Sequence, residues 1–141
     1  MLKLSPYLRY DGNCNEAIET YLQAFDAKLK VKLHYRDPDC YPNPTNENKD
    51  YIWHCQLVFG EQILMLADNS DNILDINTPT SCHNILCIML DTVEEVEQAY
   101  NILSKGATII TPIHSSDFSA RHVTLEDRFG IVWDIMVDFN A

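Results

Sequence analysis

The chain has 141 residues, enough for one compact domain that buries about two thirds of its unfolded surface without staples. Its 21 acidic and 10 basic side chains leave a formal charge of -11, which repels phosphate backbones and anionic lipid and argues against nucleic-acid and membrane partners. No apolar run reaches the roughly 18 residues of a membrane span, and the five cysteines are odd in number with no CxxC pair, which argues against a disulfide framework or zinc ribbon.

The opening Met1-Leu2-Lys3-Leu4-Ser5-Pro6 has no apolar run of signal-peptide length, which argues against secretion and for a cytoplasmic protein. Leu4 to Tyr10 reads as a first strand, broken by Asp11-Gly12-Asn13. Asn13 is a good helix N-cap with Glu16 three residues on, and Ala17, Ile18, Tyr21, Leu22 and Phe25 follow as one apolar stripe. Cys14, at the helix start, is the one cysteine whose place would favour a lowered pKa, although nothing nearby in sequence supplies a base. Ala27 to Tyr35 alternates Leu29, Val31, Leu33 and Tyr35 against three lysines and His34, a strand with one wet and one buried face.

Residues 37–50 carry three prolines and three asparagines and predict a long loop, either a lid or a plain connection. Tyr51 to Phe59 and Gln62 to Ala67 predict a hairpin around Gly60-Glu61. Asp68 to Cys82 is a polar linker. Its Asp68-Asn69-Ser70-Asp71-Asn72 resembles a calcium loop in composition but lacks the required glycine and glutamate.

Ile85 to Leu90 is apolar on both faces and predicts an interior strand. Cys55 and Cys87 read as small core residues of their strands. Thr92 caps a second helix with Glu95 in a capping box, Val96, Ala99, Tyr100 and Leu103 form its stripe, and Gly106 stops it. Ala107 to Pro112 is the next strand and 114–120 a polar loop. Arg121 to Leu125 and Ile131 to Phe139 close the chain as strands.

The order strand-helix-strand-strand-strand thus runs from Leu2 to about Asp68 and returns from Ile85 to about Phe139, with Phe59-Gly60 echoed by Phe129-Gly130. The expected fold is α+β: one domain over 1–141, with module one at about 1–70, a linker at about 70–83 and module two at about 84–141.

The run Tyr7-Leu8-Arg9-Tyr10-Asp11-Gly12-Asn13-Cys14-Asn15-Glu16-Ala17 resembles the start of PhnB-like proteins of the vicinal-oxygen-chelate superfamily, which also holds glyoxalases, bleomycin-resistance proteins and extradiol dioxygenases. The resemblance continues in His54-Cys55-Gln56-Leu57, in Ile63 to Asn69, in Phe118-Ser119-Ala120-Arg121 and in Leu125 to Trp133. It implies two βαβββ modules whose sheets curl into open, barrel-like clefts with helices outside, a homodimer, and a small organic ligand in the cleft.

Metal-dependent members place His or Glu on the first and last strands of each module. The matching positions here are Ser5, Met65, Ile85 and Asp134, of which only Asp134 suits a dication. The resemblance therefore implies no bound metal and no cofactor. It places His54 on a cleft strand, Arg121 at a basic position able to clamp an anion, Phe118 where relatives often have tryptophan, and Met65 and Asp134 inside the cleft. Trp133, like Trp53, is large and flat enough to floor an apolar site. His114 and His122 flank one loop without forming a recognisable pair.

Two other readings stand beside a PhnB-like ligand-binding protein of unknown reaction. One is a metal-dependent lyase or dioxygenase built atypically on His54, His83 and Asp134. The other is a non-catalytic, bleomycin-resistance-like binding dimer. Related sequences carry glyoxalase-like and demethylubiquinone methyltransferase-like labels, but no glycine-rich turn after a strand marks an S-adenosylmethionine site. No Ser-His-Asp order, phosphate loop or HExxH motif occurs.

Overall fold

The computed structural model describes residues 2–70, 83–117 and 119–138. The chain is α+β and runs β1 (Tyr7–Tyr10), α1 (Cys14–Ala24), β2 (Lys28–His34), β3 (Ile52–Phe59), β4 (Gln62–Asp68), β5 (Leu86–Leu90), α2 (Val93–Leu103), β6 (Thr108–Ser116), β7 (Ser119–Glu126) and β8 (Val132–Val137). The βαβββ order occurs twice. Each copy builds its own four-stranded mixed sheet, β1-β4-β3-β2 and β5-β8-β7-β6. In both, the first strand runs parallel to the last and the remaining pairs are antiparallel. The chain divides into two compact units, Met1–Leu22 with Asp26–Pro79, and Gln23–Phe25 with Thr80–Ala141.

Twin backbone bonds fix how the copies correspond. The Asn69 N–H donates to the Tyr10 carbonyl at 2.7 Å, and the Asp138 N–H donates to the Leu90 carbonyl at 2.7 Å. Counting back along the paired strands, Met65 corresponds to Asp134, Tyr7 to Cys87, Gln56 to Thr124 and His54 to His122. The Phe-Gly echo is one residue out on this register. β3 and β4 close at Phe59 and Gln62, whereas β7 and β8 close earlier, at Glu126 and Val132, around a longer connection. Both glycines still serve their turns with left-handed φ, +61° at Gly60 and +91° at Gly130.

Several elements differ from the sequence expectation. β1 starts at Tyr7, because Pro6 has no N–H for a ladder and contributes only its carbonyl, to the Met65 N–H at 3.0 Å. β6 runs through Pro112 to Ser116, so much of the expected 114–120 loop is hairpin. Register breaks between Thr111, His114 and Ser116, on an edge strand, let the proline sit there. Among the described residues β5 is an edge strand, paired with β8 alone, and its Cys87 and Met89 are exposed. Leu29 and Leu33 of β2, expected inside, are also exposed. Alternation tells which side chains share a face; only packing decides whether that face is covered. The linker from 71 to 82 and Phe139 lie outside the described residues.

α2 begins as its sequence predicts. Thr92 Oγ1 accepts the Glu95 N–H at 3.1 Å and donates to the Glu95 carboxylate at 3.0 Å. Val96, Ala99 and Leu103 are buried where the helix packs on β5, β7 and β8. α1 starts differently. The Cys14 N–H donates to the buried carboxylate of Asp68 at 3.1 Å, a residue at the end of β4. The other Asp68 oxygen accepts the Ile52 N–H at 2.8 Å, at the start of β3. Desolvation nevertheless raises the Asp68 pKa above its ordinary value, the three backbone donors of Gly12, Cys14 and Ile52 only partly offsetting burial.

The same environment settles Cys14. Its thiol is fully buried and its pKa is pushed far up, first by desolvation and then by the Asp68 charge, so the lowered pKa that a helix start would favour does not develop. Cys55 is likewise buried, its pKa raised to about 11 by desolvation.

Asp68→Ala should destabilise the fold by about 3 kcal/mol, because it strands buried N–H groups on two separate segments at once. Urea unfolding checks this, and a loss under about 1 kcal/mol would show that the carboxylate is dispensable. Gly12 gives a second test. A Cβ there would lie 2.8 Å from the Tyr51 hydroxyl at φ +83°, whereas a Cβ at Gly60 meets nothing within 4 Å. Gly60→Ala should cost only the left-handed penalty of about 1 kcal/mol, and Gly12→Ala clearly more.

Candidate functional site

Each sheet has one face under its helix and one face without it. In the first unit the Tyr10 and Tyr21 hydroxyls bond at 3.1 Å, which sets α1 over the face carrying Leu8, Tyr10, Leu66 and Asp68. The alternate side chains Tyr7, Arg9, Met65, His54 and Gln56 share the opposite face. In the second unit β8 alternates buried Trp133, Ile135 and Val137 toward α2 with half-buried Asp134 and Met136 on the other side. Across the ladders His122, Thr124 and Cys87 join Asp134 on that helix-free face.

On the first helix-free face His54 is the hub. Its Nδ1 lies 2.8 Å from the Tyr7 hydroxyl and its Nε2 lies 3.0 Å from the Gln56 amide nitrogen. The amide can only donate, so Nε2 accepts and Nδ1 carries the proton to the Tyr7 oxygen. The tautomer follows from this orientation of the amide. The Tyr7 ring meets the imidazole edge-on at 5.5 Å, and the Arg9 guanidinium sits 4.3 Å above the Tyr7 ring. Burial lowers the His54 pKa and the Arg9 charge lowers it further, so the neutral ring is favoured. Burial raises the Tyr7 pKa, opposed by Arg9.

On the second helix-free face His122 Nε2–H donates to Asp134 Oδ1, and the Thr124 hydroxyl donates to the same oxygen at 2.9 Å. The His114 ring lies 5.3 Å from His122 on the neighbouring strand, and its own Nδ1–H donates to the Pro112 carbonyl at 2.8 Å. Asp134 is thus a shared acceptor for two side chains of β7. An imidazole oriented by a carboxylate can relay a proton.

The sequence-predicted residues separate into two sets. His54 and Met65 sit on the first helix-free face and Asp134 on the second. Trp133 faces α2, 3% exposed, with its Nε1–H donating to Asp127 at 2.9 Å and its ring against Phe25 at 5.1 Å. Arg121 has the same parity, and its guanidinium pairs with Glu97 of α2 at 3.3 Å. Both therefore lie across the sheet from Asp134. Phe118 lies outside the described residues. Trp53 joins Tyr35, Tyr41 and Tyr51 in an aromatic cluster, with Tyr35 and Tyr41 stacked at 4.4 Å, which ties the 37–50 loop back onto its sheet. Sequence reasoning did not single out Tyr7, Arg9, Gln56, Thr124 or the pairing of His122 with Asp134. The parity of Tyr7 with Arg9, and of His122 with Thr124, was readable; which strand lies beside them was not.

A family model for the Glyoxalase/Bleomycin resistance protein/Dioxygenase superfamily matches residues 3–135. The chain belongs to that superfamily. The structure of protein PA1353 from Pseudomonas aeruginosa is 30% identical, with 98% of each chain covered and a TM-score of 0.81. A PhnB protein from Bacillus cereus is 21% identical over 96% of this chain and 99% of its own, with a TM-score of 0.76. A lactoylglutathione lyase from Agrobacterium tumefaciens shares the fold at 16% identity and a TM-score of 0.58, over 99% of this chain and 95% of its own. No protein of curated function matches. No helix among the described residues is long and apolar enough to cross a membrane.

The superfamily's divalent metal can be tested against the side chains present. Met65 and Asp134 occupy corresponding positions of the two copies, one a thioether and the other a carboxylate. Ser5 and Ile85 correspond in the same way, one a weak donor and one none. Among the described residues no group of three or more His, Cys, Asp or Glu side chains converges as a metal site. This donor set does not fit a hard or borderline dication.

The His54 environment has a pH consequence. Its pKa in the folded protein lies below the ordinary 6.5, so between the two values the unfolded chain binds more protons. Its contribution to stability is complete above pH 6.5 and falls as the pH drops toward the folded pKa. Urea unfolding at pH 8 and pH 5 should show a smaller loss on acidification in His54→Gln than in the wild type. Equal losses would mean the ring is not held neutral.

Proposed function

We propose that the protein is a PhnB-like member of the superfamily that binds a small organic ligand on its helix-free strand faces and works without the family's metal centre. One observation carries this reading: of Ser5, Met65, Ile85 and Asp134, the positions that the resemblance matches to the ligands of metal-dependent members, only Asp134 suits a dication, and it is hydrogen-bonded by His122 and Thr124. What remains is two polar clusters, each on a half-buried sheet face, of the kind that orients a bound small molecule.

A metal-dependent lyase or dioxygenase on His54, His83 and Asp134 has less support. Both nitrogens of His54 are spent on Tyr7 and Gln56, and His83 is exposed. Between turnover and sequestration, the oriented His122 favours proton transfer on a bound ligand. The shared fold alone would not decide between them.

The assembly in this reading is a cytoplasmic homodimer. Support comes from apolar side chains on edge strands or beside them: Met89 is 59% exposed, Ile85 55% and Ile110 54%. A second copy would remove that surface from water.

Two measurements test this function. Protein incubated with excess Ni²⁺, Zn²⁺ or Mn²⁺ and desalted should retain far less than one metal per chain by plasma mass spectrometry. A stoichiometric metal that is lost in both His54→Ala and Asp134→Ala would overturn the metal-free reading. Sedimentation at micromolar concentration should give a dimer, shifted toward monomer by Met89→Glu. A wild-type monomer would remove the dimer from the proposal.

A further inference from the structure

The chain is strongly acidic, with 21 carboxylate side chains against four arginines and six lysines. Under that excess an arginine is expected to find a carboxylate. Arg36 does, bonding Asp50 at 2.5 Å, and Arg121 does, pairing with Glu97 at 3.3 Å. Arg9 has no carboxylate partner among the described residues. It is half-buried on β1, its guanidinium stacked 4.3 Å over the Tyr7 ring. Its charge reaches its neighbours: it adds to the burial that lowers the His54 pKa, and it partly opposes the burial that raises the Tyr7 pKa.

The hydrogen bonds around it are directional. Gln56 donates to His54 Nε2, and His54 Nδ1–H donates to the Tyr7 oxygen. The Tyr7 oxygen is therefore already an acceptor, and its own proton is left to point outward. Tyr7 is 39% exposed, so that proton can reach a ligand. A chain of donors ending on a hydroxyl, beside a guanidinium on the same strand face, is built to receive negatively charged oxygen. Planar guanidinium is suited to a carboxylate because its N–H groups match the two oxygens.

We propose that Arg9 and Tyr7, backed by His54 and Gln56, form a binding site for the carboxylate of a small organic anion. This deepens the function proposed above, since it rests on the helix-free face of the first sheet being a ligand face. Arg9 supplies the charge, Tyr7 one neutral hydrogen bond, and His54 fixes the direction of the Tyr7 proton. The apolar part of the ligand lies along Met65 on the same face.

The test is an NMR titration of the full chain, labelled at arginine and histidine, with benzoate and with benzamide, which has the same shape and no charge. Benzoate should give saturable shifts at Arg9 Nε and the His54 ring. Its affinity should fall about tenfold or more in Arg9→Gln, and about threefold in Tyr7→Phe. Arg121→Gln, altered on the opposite side of the other sheet, should bind as the wild type does. Arg9→Lys keeps the charge without the fork and should bind with intermediate affinity. Thermal melts of each variant check that the fold is retained. Benzoate binding that survives Arg9→Gln, or benzamide binding as tightly as benzoate, would overturn the anion site while leaving the ligand face in place. No shift at His54 with either compound would overturn the anion site and the ligand face of this sheet together.

Discussion

The first module depends on a carboxylate kept out of water. Asp68 ends β4, and its two oxygens take N–H groups from the start of α1 and the start of β3. Those donors lie far apart in sequence, so the bonds close two chain loops at one buried point. The pKa of the group is raised rather than lowered, which shows that desolvation outweighs the donors. Its worth is in geometry more than in charge: it sets where α1 leaves β1, and so which face of the first sheet is covered. The second module solves the equivalent problem differently. α2 starts on its own capping box, and the buried Asp127 instead organises the β7–β8 connection, accepting the Phe129, Ile131 and Trp133 N–H groups.

Once the helices have taken one face of each sheet, the other faces are free to differ. The repeat places His54 and His122 at matching positions, and gives each a polar neighbour two residues along its strand, Gln56 and Thr124. The partners then diverge. His54 is held neutral between a phenol and an amide, next to an arginine; His122 is held against a carboxylate. One face thus carries a guanidinium beside a phenol, and the other an imidazole bonded to a carboxylate. The same two-strand geometry carries both, with Met65 against Asp134, Tyr7 against Cys87, Arg9 against Met89 and Gln56 against Thr124. A divalent metal would need several nitrogen or oxygen donors at those positions, and Met65 offers only a thioether.

The chain's order of elements, its α+β class, its duplication and its family were all legible in the text, because they rest on local periodicity, turn glycines and caps. Cys14 and β5 show where local reading fails. A helix start normally lowers a thiol pKa, but Asp68 and full burial reverse the sign. An all-apolar strand normally lies inside a sheet, but among the described residues β5 has a neighbour on one side only. Trp133 and Arg121 lie off the helix-free faces for another reason. Their chemistry suited a ligand site, yet strand parity turned them toward α2.

By itself the sequence determined which residues could alternate, cap and turn, since these follow from residue type and spacing. The tertiary structure alone decided which strand lies beside which, and therefore that Tyr7, His54 and Gln56 meet, that His122 reaches Asp134, and that Arg9 keeps no carboxylate partner among the described residues. Hydrogen-bond partners across a sheet depend on register and on loop length, and a shift of one residue turns every side chain to the other face.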